Sequence, residues 1–236
     1  MEKPADDAGR LALAPPPGRG PIKRTGMVQE VFERIRGDIL SLAIPPDTRI
    51  SVEHLVRVLG VSQTPIREAL SMLEASGLVT KKHFSGYCTA PKLNRKQFEQ
   101  LYELRFLLEP YAASKAASHI SDTELRRLCK LALQMEPRTE DDSRASYDRF
   151  ADEDSEFHTL ITHGSGNDLI VESLARLHIH LHIFRLRFHH EVTQEAFAEH
   201  AQIILALQQR DPDAAAAAMR KHLEKSYARL VHYAME

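Results

Sequence analysis

The fold of this chain is decided by residues 59–70, which read LGVSQTPIREAL. Gly60 is typical of the end of a helix, where a residue without a side chain accepts the left-handed backbone conformation. Ser62 is typical of a helix cap, and Pro65 suits the first turn that follows such a cap. The stretch therefore predicts two helices joined by a tight turn, with the second helix beginning in polar residues.

The flanking sequence extends this motif in both directions. Apolar residues recur at spacings of three and four before and after it, which predicts amphipathic helices, and β-prone runs follow. Together these elements predict a winged helix-turn-helix. In order they are helices over 28–43 and 52–59, a helix from the Ser62 cap to Gly77, and β-prone runs at 78–80 and 87–89 around a turn near 84–86.

The sequence after Pro91 is typical of helices alone. Asn94 and Ser121 each begin a capping-box pattern, and Asp211 before a proline suits another helix start. Short connections between helices predict an antiparallel bundle, so the fold class is mainly α. The six predicted helices cover 94–118, 121–135, 144–163, 167–190, 192–209 and 212–235.

We expect three regions with different roles. Residues 1–25 are rich in proline and glycine and predict a disordered leader. Residues 26–92 form the predicted winged helix-turn-helix domain, and residues 93–236 form the predicted helical domain. Residues 1–93 contain 13 Lys+Arg against 10 Asp+Glu, whereas residues 94–236 contain 18 against 23. The net charge of −2 is therefore the sum of a basic N-terminal part and an acidic C-terminal part. This difference indicates different partners for the two parts.

Composition narrows the class of protein. The chain has 236 residues, of which 43% are hydrophobic and 27% charged, as in a globular protein with a core. Two cysteines do not make a disulfide framework. No apolar run approaches the roughly 18 residues that span a bilayer, and the N-terminus lacks a secretion signal. We therefore predict a cytoplasmic protein without a membrane partner.

The predicted third helix carries side chains suited to double-stranded DNA. A polar and basic first turn can enter the major groove, where base edges differ in their donors and acceptors. Arg67 can bind a phosphate or guanine; its alternative is an ion pair with Glu68 or Glu74 on a solvated face. The remaining candidates are Ser62, Gln63 and Thr64 on this helix, and Lys82 and His83 on the hairpin.

The predicted bundle places several metal-ligand types on inward stripes. Asp154 and His158 are four residues apart on the stripe that faces the core, and His200 and His222 lie on two further stripes. Imidazole and carboxylate suit zinc, nickel, iron or manganese. Each histidine alone is more often an ordinary core residue. His178 and His182 are likewise four residues apart and compete with these, with His180, His189 and His190 nearby. We interpret His178 and His182 as a boundary face, with pocket lining as the alternative.

The front half resembles the GntR family of bacterial transcription regulators. The likeness rests on residues 59–70, on Leu73-Glu74 with Gly77-Leu78-Val79, and on the wing glycine Gly86. Gln63 stands where the family usually has an arginine, and Val52-Glu53 replaces a common Glu-Arg pair. Glutamine can bond adenine where arginine prefers guanine, so we expect a base preference shifted toward A·T at that position.

The back half is similar to the FCD effector domain of the FadR branch, and six helices resemble its VanR-type subgroup. Together with the GntR likeness, it implies a DNA-binding domain over 26–92 and an effector-binding and dimerisation domain over 93–236. This resemblance implies a divalent metal, zinc first, held by Asp154, His158, His200 and His222. It also implies a small carboxylate effector beside the ion, contacted by Arg105 and Asn167. The alternative for Arg105 is an ion pair with Glu109.

The leading hypothesis is a ligand-responsive, homodimeric repressor rather than an enzyme. Two recognition helices of a homodimer would fit successive major grooves of a palindromic operator. A metal-dependent hydrolase is one alternative, although no second carboxylate or histidine is placed as a general base. The other alternative is a regulator without metal, whose histidines contact the effector directly.

Overall fold

The computed structural model describes residues 24–82, 86–136, 144–184 and 190–234. The predicted leader lies almost entirely outside them. The described structure has two parts. The first is a winged-helix unit, residues 24–90, and the second is a helical bundle, residues 95–234. The winged-helix unit contains α1 (Arg24–Leu40), β1 (Arg49–Ile50), α2 (Val52–Leu59), α3 (Gln63–Ala75), β2 (Val79–Lys82) and β3 (Gly86–Thr89).

Local signals set the boundaries of the helix-turn-helix. Ser51 caps α2 by accepting a hydrogen bond from the backbone of His54, and Gly60 ends it with φ of 67°. The apolar faces of α1, α2 and α3 share one core, in which Ile66 and Leu70 are fully buried. The order of these elements confirms the predicted winged helix-turn-helix.

The wing is a three-stranded antiparallel sheet in the order β1-β3-β2. The predicted hairpin pairs Val79 with Thr89 and Lys82 with Gly86. The sequence does not predict the two-residue strand β1, because a pair of residues carries no periodicity. It pairs Arg49 with Cys88 and joins the hairpin to the start of α2.

The bundle begins its helices at the predicted caps. Asn94 and Ser121 both form complete capping boxes, and the Asp211 side chain accepts from two backbone amides of the last helix. The core is built mainly where α10 packs on α4 and α9, and α6 packs on α4. Its helices are α4 (Arg95–His119), α5 (Asp122–Gln134), α6 (Arg144–Gly164), α7 (Asp168–Arg176), α8 (Ile179–Phe184), α9 (His190–Gln208) and α10 (Pro212–Leu230), followed by a 3₁₀ turn at Val231–Ala234.

The prediction of one helix over 167–190 is wrong. Helix α7 ends at Arg176, with Leu177 as its C-cap residue. His178 has a φ of 45°, a backbone conformation that does not continue an α-helix. In the described part of the bundle there are therefore seven α-helices, not six. The first helix also ends earlier than predicted, at Leu40, because Leu42 has a φ of 57°.

Contacts between the winged-helix unit and the bundle include two that the described residues show. Arg36 on α1 binds the carboxylate of Asp152 on α6 with both terminal nitrogens. The ring of His178 lies against Gly77, so close that a Cβ on this glycine would be 2.5 Å from a ring carbon. Gly77 also has a φ of 75°, so glycine is required there on both grounds.

None of the helices that the structure describes is both long enough and apolar enough to cross a membrane.

Candidate functional site

Three histidines from three helices meet inside the bundle. His158 on α6, His200 on α9 and His222 on α10 are buried, and each offers a ring nitrogen within 4.8 Å of the others. Their ring centroids are 4.7 to 5.6 Å apart. Phe157 stacks on the ring of His200 at 4.3 Å and closes that side with an apolar wall. This cluster, called the histidine triad below, is the chemical centre of the bundle.

Asp154 lies at the edge of the histidine triad. Its Oδ1 is 3.3 Å from Nε2 of His200 and 4.0 Å from Nε2 of His158. The carboxylate is outside the mutual 4.8 Å group that the three histidines form. The four predicted residues are thus neighbours, with three of them in one tight group and the fourth beside two of its members.

Two buried glutamates contact the Nδ1 atoms of two of the histidines. Neither glutamate is among the predicted site residues. Oε2 of Glu109 is 2.6 Å from Nδ1 of His158, and Oε2 of Glu199 is 2.9 Å from Nδ1 of His222. An ionised carboxylate only accepts, so Nδ1 donates in both histidines and Nε2 has the lone pair that a metal needs. Each glutamate therefore sets the tautomer of its histidine.

Arginines keep both glutamates ionised. Burial alone would raise the pKa of Glu109, but Arg105, with Nε 2.5 Å from Oε1, and His158 together hold it well below its ordinary value. Burial likewise opposes ionisation of Glu199, but hydrogen bonds from His222 and Arg229 lower its pKa to about 2. The site thus has charged supports at neutral pH.

Sequence signals for these supports exist but are weak. Glu109 follows Arg105 by four residues on one helix, Glu199 directly precedes His200, and Arg229 follows His222 by two helical turns. Such spacings also occur on solvated helix faces. Only the packing of α4 and α9 against the histidines distinguishes these glutamates from surface residues.

The donors present fit a divalent transition metal. Three imidazoles with oriented tautomers and a nearby carboxylate are a set that zinc, nickel, iron and manganese accept. His158, His200 and His222 would hold the ion, and Asp154 is placed to approach it. An ion bound there would act as a Lewis acid toward an anionic ligand in its remaining positions.

The two predicted effector contacts have other partners in this structure. Arg105 is 1% exposed and forms an ion pair with Glu109, which is the alternative to effector contact given for it above. The Asn167 side chain caps α7 by accepting from the backbone of Ile170. A direct contact of either residue with an effector stays a prediction.

Of the competing histidines, His178 is placed as a pocket residue. It is half-buried and lines a cavity between the winged-helix unit and the bundle, and burial lowers its pKa. His182 is half-buried in α8. The side chains of His180 and His190, and all of His189, lie outside the described residues.

The start of α3 presents the predicted DNA contacts to solvent. Ser62 precedes the helix as its cap residue without a side-chain capping bond, and Gln63, Thr64 and Arg67 are exposed. Within the described part of the chain, Arg67 forms no ion pair with Glu68 or Glu74. The first turn of α3 is therefore available to a groove of DNA.

The wing is partly described. Lys82 is exposed, and its Nζ lies 3.7 Å from Oδ1 of Asp47, which is also exposed. Such an exposed ion pair is weak, so a DNA phosphate can take the place of Asp47 as the partner of Lys82. Gly86 begins β3 with a φ of 76°, which favours glycine. His83 lies outside the described residues.

Replacing Glu199 by glutamine is expected to weaken metal binding without removing a ligand. The amide has the shape of the carboxylate but can also donate to His222, so the orientation of that ring is no longer set. Losses after removing such supports are about 10- to 100-fold in metal affinity. Competition of the purified chain against a zinc chelator measures this, with Glu224→Gln at an exposed position of α10 as the control. Equal affinities of both variants would contradict the role of Glu199.

Comparisons with known proteins agree with this geometry. Residues 27–88 match the model of the bacterial regulatory proteins of the gntR family, and residues 100–225 match that of the FCD domain. The chain is 29% identical over 199 residues to the HTH-type transcriptional repressor RspR of Escherichia coli K12, covering 84% of this chain and 86% of RspR. It is 28% identical over 232 residues to the Uxu operon transcriptional regulator of the same strain, covering 87% of each chain.

Solved structures share the fold. The E. coli protein McbR/YncC has a TM-score of 0.67 at 20% identity, over 87% of this chain and 97% of that one. A GntR regulator from Rhodococcus sp. RHA1 has a TM-score of 0.65 at 18% identity, over 88% and 98%. The relatives are transcription regulators rather than enzymes, which sets aside the hydrolase alternative. The two family matches together account for both halves of the molecule, and the chain belongs to the GntR family of DNA-binding transcription regulators, with an FCD domain behind its winged helix.

Proposed function

We propose that this regulator is a repressor whose bundle binds a divalent metal, zinc first, and a small carboxylate effector. The observation that carries the proposal is the histidine triad, with its two charged supports, in the domain behind the DNA-binding unit. A repressor role is supported by the likeness to RspR, whose name states that activity.

The metal would have positions left for the effector. The three histidines and Asp154 supply four protein ligands, and a six-coordinate ion then accepts two further oxygens. A carboxylate from the effector can take these positions. Arg105 and Asn167 remain the proposed effector contacts, with Arg105 acting through its charge behind Glu109 or directly after rearrangement of that pair.

The proposed assembly is a homodimer on a palindromic operator, with residues 93–236 forming the dimerisation domain. Two α3 helices would then lie about one helical turn of DNA apart. The dimer would have one arrangement that fits the operator and one that does not. The effector changes the affinity for DNA only to the extent that it binds one of these arrangements more tightly than the other. Repression is relieved if the effector prefers the arrangement that does not fit the operator.

Arg67→Ala is expected to reduce operator affinity about 10- to 100-fold, corresponding to about 1–3 kcal/mol for one specific contact. The operator is first selected from random duplex DNA with the wild-type chain, and affinities are then measured at several salt concentrations. Selected sites are expected to have A·T pairs where Gln63 reads. Arg176→Ala, an exposed arginine on α7, is the control.

Unchanged affinity of Arg67→Ala would contradict the assignment of α3 as the recognition helix. An essential guanine opposite Gln63 would contradict the proposed base preference alone. If the wild-type chain selects no sequence, the proposed operator-binding role fails as a whole.

A further inference from the structure

Helix α4 has large apolar side chains on two opposite faces. One face packs on α6 and α10 and is buried. The other face presents Leu104, Leu107 and Tyr111, which are 41%, 70% and 49% exposed. Among the described residues, no other helix exposes more than one large apolar side chain. Single apolar residues are ordinary on a protein surface, but a helix that is apolar on both faces is typical of one that is covered on both.

Leu104, Leu107 and Tyr111 form one row along the helix, called the α4 stripe below. Their spacings of three and four residues place them within about 60° of the helix circumference. Glu103 lies at the N-terminal end of the stripe and Lys115 at its C-terminal end, and both are exposed. An apolar centre with a polar rim is the anatomy of a protein–protein interface.

The charges at the two ends of the stripe are opposite. Glu103 forms no ion pair within the part of the chain that the structure describes, and the ammonium of Lys115 lies 5.6 Å from the ring centroid of Tyr111. Positions 103 and 115 are symmetric about position 109, and so are positions 107 and 111. Two copies of α4 packed antiparallel therefore place each charge opposite its complement, whereas a parallel pair would place like charges together.

We propose that two copies of this chain dimerise through the α4 stripe, packed antiparallel about a two-fold axis at the level of position 109. Leu107 packs against Tyr111 of the second copy at the centre, and Glu103 pairs with Lys115 of the second copy at each end. This inference rests on the homodimer of the proposed function and adds which surface forms it.

The proposed interface and the proposed metal site share helix α4. Positions 107 and 109 point about 200° apart on a helix, so Leu107 faces the second copy while Glu109 faces the core and supports His158. The same turn of α4 therefore connects the histidine triad to the partner copy.

Leu107→Glu is expected to raise the dissociation constant of the dimer at least about 100-fold. The change places a carboxylate at the apolar centre of the interface, where burial without a partner is costly, and the two-fold axis repeats it in both copies. Analytical ultracentrifugation of the full chain over a range of concentrations measures the constant. Leu133→Glu is the matched control, because Leu133 is 69% exposed on α5, which packs on α6 and α9. The control should leave the constant unchanged.

Reversing the end charges tests the antiparallel pairing. Glu103→Lys alone, or Lys115→Glu alone, makes both end contacts of the dimer repulsive, and each is expected to raise the dissociation constant at least about tenfold. The double variant has opposite charges across the interface again and should return to a value near that of the wild type. Both side chains are exposed, so these changes leave the core of the single chain intact.

The outcomes separate this inference from the proposed function. A wild-type dimer that Leu107→Glu does not weaken would overturn the proposed surface and leave the homodimer intact. Single reversals that weaken the dimer without recovery in the double variant would overturn the antiparallel pairing. A wild-type chain that stays monomeric would contradict the homodimer itself. If Leu107→Glu is unstable, the charge reversals still decide the outcome.

Discussion

His200→Ala is expected to abolish stoichiometric zinc binding by the purified chain. His200 is fully buried beside the other two histidines, so its loss removes one of the three donors of the tight group. Zinc at 100 times its dissociation constant stabilises the wild type by about 2.7 kcal/mol, which is about 5–10 °C in melting temperature for a chain of this size. The variant should show no such shift.

Metal analysis after dialysis and thermal melting with and without zinc measure this effect. His119→Ala is the matched control, because His119 is an exposed histidine at the end of α4. One zinc per chain in His200→Ala would mean that the ion binds elsewhere. Failure of the wild type to hold zinc, nickel, iron or manganese would favour the regulator without metal, whose histidines contact the effector directly.

Glu109→Gln is expected to destabilise the folded chain by about 3–5 kcal/mol. Glu109 is 3% exposed and is shared by Arg105 and His158, so the neutral amide leaves a buried guanidinium without a compensating charge. Denaturant unfolding of the zinc-free protein measures the change. The replacement should also weaken zinc binding, because the tautomer of His158 is no longer set.

The same helix offers a matched control for this ion pair. Arg95 and Glu99 have the same i,i+4 spacing on α4, with the atoms 2.8 Å apart, but they are exposed. Glu99→Gln should cost at most about 0.5 kcal/mol, because solvent screens such pairs. Equal destabilisation by both variants would show that burial does not determine the energy of the Arg105–Glu109 pair.

The pH dependence of Glu109→Gln has a definite sign. The folded-state pKa of Glu109 lies below its unfolded value, so its stabilising contribution is fully present above the unfolded pKa of about 4.3. That contribution is lost as pH falls from there through the depressed folded-state pKa. The difference between wild type and Glu109→Gln should therefore be full at pH 7 and shrink in strong acid.

The winged helix could be predicted because its signals are local. The α2 prediction of 52–59 agrees with the structure, since Gly60 and the apolar spacing act within one turn of the helix that they delimit. The helix-breaking conformation of His178 could not be predicted, because its ring packs on Gly77, about a hundred residues earlier in the chain. Periodicity alone continued a helix through that point.

The sequence by itself determined the order of the winged-helix elements apart from β1, the exposed polar start of α3 and the inward placement of Asp154, His158, His200 and His222. These depend on helical periodicity and capping, which act over a few residues. Tertiary structure alone decided which groups complete the site. Glu109 is 49 positions from His158, and Arg36 is 116 positions from Asp152. The supports of the triad are in place because buried charges must find partners where packing brings them together, and spacing along the chain does not encode that meeting.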